Sequence, residues 1–164
     1  MEIRLVRPEE LDEVGRLTAE VYVGGGYVDE ADGYALKLVD TPRRAREAEV
    51  WVAVENGRVI GSVTFCPVGS AYREISRADE GEFRMLAVSP SARGRGVGQE
   101  LVAHCVRRSR ELGYAGVRMS TMDEMTSAHR IYGRLGFTRA PEDDWSPEPG
   151  VNLLAYAVST ALAT

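Results

Sequence analysis

The stretch SPSARGRGVGQELV, Ser89 to Val102, sets glycines at positions 94, 96 and 98 and arginines at 93 and 95. Glycine lets a backbone approach a ligand closely and adopt conformations other residues avoid. Where such a loop feeds a helix, the first backbone N–H groups have no intrahelical partner, and the helix dipole favours an anion there. The chemistry this suits is the holding of a phosphate or pyrophosphate. Two common phosphate patterns are nevertheless absent. The dinucleotide pattern GxGxxG would need glycine at 99, where this chain has Gln99, and no GKS or GKT closes the loop. Taken alone, a Gly/Arg-rich stretch also suits a solvated turn.

Other chemistry-bearing residues are less marked. Tyr132 lies on an apolar stripe with Ala128, Ile131 and Leu135, and Glu82 opens a strand-like run; singly, they read as a core tyrosine and a strand-start carboxylate. Cys66 and Cys105 show no metal-ligand spacing, and His104 and His129 form no HExxH pattern, so no metal site is expected. With no signal peptide, the cysteines read as reduced, buried thiols of a cytoplasmic protein. Acidic residues outnumber basic ones by 25 to 20, which disfavours a nucleic-acid binder, including one built on the basic run Arg93–Arg110. Arg107, Arg108 and Arg110 read as solvated surface. No apolar run approaches the ~20 residues of a membrane helix, so no membrane partner is expected.

The elements that must position these residues follow from periodicity. At 164 residues the chain suits one domain, 1–164, large enough to bury a core. EIRLVR alternates as a strand. A helix follows Pro8, with Leu11, Val14, Leu17 and Val21 at near-helical spacing. VGGGY, Val23 to Tyr27, is expected to be a mobile loop, and a weaker helix runs from Ala31 to Val39, ending near DTPRR. EVWVAVE and RVIGSVTFCPV flank Asn56-Gly57, a hairpin signal. EFRMLAV is a strand, Gly98 opens a helix ended at Gly113, and GVRMST, TSAHRIYGRL and NLLAYAV read as strand, helix and strand. A short extra strand fits Phe137 to Arg139. The order β-α-α-β-β-β-α-β-α-β predicts a mixed α/β fold: a sheet of six to seven strands with helices on both faces and parallel pairing after Glu82. The glycine loop then falls at a strand-to-helix turn.

In that setting, RGRGVG fits R-x-x-G-x-G, and MLAVSPSARGRGVGQELV resembles the strand-loop-helix segment of the GNAT acetyltransferase superfamily nearly throughout. SAHRIYGRLGF resembles the family's second motif, A-x-x-x-Y-x-x-x-G-F, at Ala128, Tyr132, Gly136 and Phe137. The likeness spans Ile3 to Val158 and is weaker before Val50. It implies a mixed, largely antiparallel sheet splayed at an acetyl-CoA cleft. Leu86, Ala87 and Val88 would offer backbone groups to the pantetheine arm, and Arg93, Gly94, Arg95, Gly96, Val97 and Gly98 would hold the pyrophosphate. The implied activity is transfer of an acetyl group from acetyl-CoA directly to a primary amine on a small molecule or protein. A catalytically silent acyl-CoA-binding sensor or scaffold is the alternative.

Such a reaction sets three tasks. An amine of pKa ~10.4 must lose a proton. The carbonyl oxygen gains charge and needs a donor, for which the backbone N–H near Val88 is suited. The departing thiolate needs a proton, and Tyr132 matches the family's usual donor. Glu82 stands where some relatives carry a catalytic glutamate, which makes it the base the resemblance implies, directly or through a water, with a water chain alone as the alternative. Simple alternation would put it on one strand face with Arg84, Leu86 and Val88. Met125 departs from the family pattern, replacing a frequent asparagine. The acidic, aromatic-bearing segments Tyr27 to Tyr34 and Pro141 to Gly150 would line the acceptor side, where they favour a cationic amine, or else form ordinary acidic surface. A monomer or homodimer is expected.

Overall fold

The computed structural model describes residues 1–161; the last three residues of the expected 1–164 domain lie outside them. Seven strands form one sheet: β1 Glu2–Leu5, β2 Glu49–Glu55, β3 Arg58–Cys66, β4 Glu80–Val88, β5 Gly116–Met122, β6 Thr138–Arg139 and β7 Leu153–Ser159. Their spatial order is β1-β2-β3-β4-β5-β7-β6, antiparallel except where β4 meets β5. Five helices cover the two faces: α1 Leu11–Gly24, α2 Gly33–Val39, α3 Thr41–Glu47, α4 Val97–Glu111 and α5 Thr126–Arg134. On one face Leu101, Val102 and Cys105 of α4 and Tyr132 of α5 pack on Phe65, Phe83 and Val117. On the other, Val14, Leu17 and Val21 of α1 and Leu38 of α2 pack on Val50, Val52 and Met85. The expected mixed sheet with two helical layers is present, and both cysteines are free and buried.

Local chemistry sets the joints. Asn56 and Gly57 sit at φ 51° and 74°, the left-handed pair that a two-residue hairpin turn needs. Asp40 explains a helix the sequence pattern omits. Its carboxylate accepts the Arg43 N–H at 3.2 Å, so Pro42 stands in the first turn of α3 and begins a helix, where it reads as the end of one. The mobile loop expected from Val23 also starts later. α1 runs on through Gly24, with the Gly25 and Gly26 N–H groups donating to Val21 and Val23. Asp32 caps α2, which therefore opens at Gly33 rather than near Ala31.

Strand β4 departs from simple alternation. Its partners on β3 step from Thr64↔Arg84 to Ser62↔Ala87, three residues against two. The extra residue is Met85, at φ 56°, and this bulge inverts every side chain beyond it. Phe83, Leu86 and Val88 therefore face the α4–α5 layer, while Met85 and Ala87 face α1. The expectation that Glu82, Arg84, Leu86 and Val88 share a face is corrected: Glu82 and Arg84 lie opposite the other two. Nη1 of the buried Arg44 donates to the Met85 sulfur at 2.8 Å and supports the bulge from α3.

Candidate active site

Parallel pairing of β4 with β5 is confined to Glu80↔Gly116 and Gly81↔Val117. Beyond it the strands part and leave a cavity of about 640 Å³. Its long walls are Phe83 to Leu86 on β4 and Met119 to Met122 on β5. Tyr132, Ala128 and Met125 close it on the α5 side, and Tyr22, Tyr27 and Tyr34 close it on the α1–α2 side, with Pro147, Glu148 and Val151 from the segment before β7. The edge that β4 turns toward β5 past Gly81 carries no strand partner among the described residues. Leu86 lines the cavity, and Ala87 and Val88 continue that edge towards the glycine loop.

The loop itself lies outside the cavity wall, at the N-terminus of α4. Gly94 and Gly96 adopt φ 77° and 78°, and a Cβ on either would meet only open space. Gly98 differs, because a Cβ there would press on Ile131. None of the described residues accepts from the backbone N–H groups of Gly94, Arg95, Gly96, Val97, Gly98 or Gln99. A row of orphaned N–H groups at a helix N-terminus fits an anion such as pyrophosphate. Of the two loop arginines, Arg95 turns away to Glu55, with Nη2 at 2.6 Å from Oε1. Arg93 is exposed and has no ion-pair partner among the described residues.

Tyr132 is only 3 % exposed, in a cluster with Phe83, Phe137 and Tyr156 at centroid separations of 5.5–5.8 Å. Burial pushes its hydroxyl well above the ordinary phenol value, and the Thr121 hydroxyl pulls it only partly back. The group therefore keeps its proton at neutral pH. Met125 also lines the cavity, at the position before α5.

Glu82 is fully buried and is not part of the cavity wall. Its Oε1 accepts the backbone N–H groups of Glu74, Ile75 and Ser76 at 3.0, 3.1 and 3.0 Å, and its buried Oε2 has no partner among the described residues. Arg84 does line the cavity. Its Nε is 3.2 Å from Glu74 Oε1, and its guanidinium also donates to the Tyr72 carbonyl at 3.1 Å. Glu74 and Tyr34 reach the same wall. Burial raises the Glu74 carboxyl, with Arg84 opposing it, and raises the Tyr34 phenol likewise. Nothing in the sequence marks Glu74, which sits in a polar, turn-rich stretch.

The two acidic segments divide. Asp29, Asp32 and Glu148 face the cavity. Asp143 instead pairs with Arg77 and Arg118 at 3.0 and 3.1 Å, and Asp144 pairs with Arg139 at 2.7 Å. Two of the four carboxylates in Pro141 to Gly150 therefore support the fold. In the basic run, Arg95 and Arg108 are held by Glu55 and Glu49. No helix is long and apolar enough to cross a membrane, and no His/Cys/Asp/Glu cluster suited to a metal occurs among the described residues.

The structure thus combines a sheet parted after β4, a glycine loop with free N–H groups and a buried tyrosine at the cavity. Residues 17–137 match the model of the acetyltransferase (GNAT) family, and the chain belongs to that family. It is 33% identical over 116 residues to a mycothiol acetyltransferase of Cellulomonas flavigena, covering 65% of this chain and 33% of that protein. The chain thus spans about a third of that relative's length. An aminoalkylphosphonate N-acetyltransferase of Salmonella typhimurium is 28% identical over 141 residues, covering 85% of this chain and 86% of that one. The structure of yncA from Salmonella typhimurium, solved with its cofactor acetyl-CoA, superposes with a TM-score of 0.73 at 18% identity, covering 100% of this chain and 96% of that one. At that identity the likeness is one of fold.

Proposed function

We propose that this protein moves the acetyl group of acetyl-CoA directly to a primary amine, and that Tyr132 protonates the departing sulfur. The observation that carries the reading is the parting of β4 and β5, which leaves an unpaired strand edge running from a cavity that holds Tyr132 to a loop of free N–H groups. Acetyl-CoA supplies an activated thioester. Leu86, Ala87 and Val88 offer backbone groups along the β4 edge to its pantetheine arm. Arg93 to Gly98 hold its pyrophosphate through N–H groups and the helix dipole, Gly94 and Gly96 leaving open space for it and Arg93 adding charge. The carbonyl oxygen gains negative charge during attack, and a backbone N–H near Val88 is the donor proposed to meet it. Tyr132, its proton held firmly by burial, serves a thiolate whose ordinary pKa is ~8.5.

Asp29, Asp32 and Glu148 at the cavity favour a cationic amine by steering and pairing. The buried free thiols Cys66 and Cys105 suit the reducing cytoplasm.

Two measurements test the reading. Acetyl-CoA should raise the melting temperature, and acetyl-pantetheine, which lacks the pyrophosphate, should do so far less. Gly96→Glu, which sets a side chain and a negative charge where the anion belongs, should abolish the difference. A panel of alkylamines, aminoalkylphosphonates, amino sugars and peptide N-termini should then include amines that release free CoA thiol above background hydrolysis. Acetyl-CoA binding with no thiol release across the panel would support the silent-module alternative. Equal shifts with acetyl-CoA and acetyl-pantetheine would remove the loop assignment.

A further inference from the structure

We propose that Glu74 is the carboxylate that meets the acceptor's ammonium and takes its proton, and that Glu82 is a positioning residue that holds Glu74 at the cavity wall. The inference rests on the amine-acetylating reading above.

Of the acidic groups at the cavity, Asp29 and Asp32 are bound to their own backbone turns. Asp29 Oδ1 accepts the Ala31 N–H, and Asp32 Oδ1 caps α2 through Tyr34, each at 2.9 Å. Glu148 is exposed. Glu74 differs, because its backbone is open while its side chain turns inward and is only 25 % exposed. Its Oε1 faces Arg84 at 3.2 Å, and its Oε2 has no partner among the described residues, so one oxygen is oriented and the other is free for a substrate N–H. The groups around it are Arg84 and Glu82 from β4 and Lys37 and Tyr34 from α2. Burial strengthens it as a proton acceptor, and repulsion from Glu82 adds to this; Arg84 keeps the ionised form within reach.

Glu82 cannot serve the amine directly. It is fully buried, and one oxygen already accepts three N–H groups. One of those is the N–H of Glu74 itself, so the contact that occupies Glu82 also fixes where Glu74 stands.

The protons balance as follows. The ammonium loses one proton to Glu74, and the freed lone pair forms the C–N bond as the C–S bond breaks. Tyr132 gives its proton to sulfur, and the second N–H proton replaces it. Glu74 releases its proton to solvent, so ammonium and thioester yield amide, thiol and one proton.

The test uses the amine giving the fastest thiol release in the panel above, with kcat/KM measured from pH 6 to 10. Glu74→Gln should lose ~10²-fold or more near pH 7, and the loss should shrink as the pH nears the amine's own pKa, where free amine needs no base. A carbonyl still accepts N–H groups, so Glu82→Gln should keep most of the activity near pH 7, with the acidic limb moved to lower pH because the Glu82 charge no longer opposes ionisation of Glu74. Glu82→Leu should repeat the pH-dependent loss of Glu74→Gln, because it displaces Glu74, and should speed hydrogen exchange at the amides of Glu74, Ile75 and Ser76. A pH-independent loss in Glu74→Gln, or an unchanged rate, would overturn the role of Glu74. A neutral-pH loss in Glu82→Gln with slow exchange retained would return the base to Glu82. Absence of thiol release by the wild type across the panel would overturn the amine-acetylating reading instead.

Discussion

The Cδ1 of Ile131 lies 3.0 Å from where a Cβ on Gly98 would stand. The first turn of α4, which ends the glycine loop, thus touches the residue next to Tyr132. Alanine at 98 gains about 1 kcal/mol in helix propensity over glycine, while crowding a packed contact costs about 1–3 kcal/mol. The net cost is about 0–2 kcal/mol. Gly98→Ala should therefore lower the melting temperature modestly, and kcat should fall if the strain is relieved by moving α5 and its tyrosine. Ile131→Val removes the crowding atom, so the double variant should regain most of the lost kcat. If the double variant is no faster than Gly98→Ala, the contact does not link the loop to Tyr132.

Tyr132→Phe keeps the ring and its packing on Phe83, Phe137 and Tyr156. Folding and the acetyl-CoA thermal shift should stay near wild type. Loss of a general acid typically costs ~10²–10⁴-fold, so steady-state kcat should fall within that range. An unchanged kcat would reduce Tyr132 to a core residue.

The hydrogen bond from Arg139 holds the Asp144 carboxyl at about 2, below its ordinary 3.8. The folded state thus binds this proton less readily than the unfolded chain. The pair's contribution is complete above pH ~4 and is lost as pH falls through about 2. Each partner is about a third exposed, so solvent screening limits the contribution to about 1 kcal/mol. In urea titrations, Asp144→Asn should be less stable than wild type at pH 7, and the gap should close between pH 4 and pH 2. A gap independent of pH would assign the loss to the Ala155 N–H that Asp144 also accepts.

What the sequence revealed of the site is what local chemistry requires. An anion loop needs positive φ and open space within a few residues, and Gly94 and Gly96 supply both. The spacing of Ala128, Tyr132, Gly136 and Phe137 is likewise confined to one helix and its end. Asn56-Gly57 disclosed the hairpin for the same reason. The Met85 bulge escaped because no glycine marks it and Arg44, the residue that supports it, is 41 positions away. Arg95 looked free because Glu55 lies 40 positions earlier. Glu74 was invisible because its place depends on a buried carboxylate on the next strand.

Among the described residues the backbone ladder joins β4 to β5 at two residue pairs, with the Arg118–Glu80 ion pair beside it. The molecule is therefore two half-sheets, β1 to β4 and β5 to β6, clasped chiefly by the helices packed across them. Each half can open on its own more cheaply than the whole can unfold, so amide exchange in the ligand-free protein should resolve two cooperative units with different opening energies. A ligand arm laid along β4 would bridge the gap in the manner of an eighth strand. Saturating acetyl-CoA should then merge the two units into one, and the donor substrate would act, during each turnover, as a piece of the enzyme's own tertiary structure.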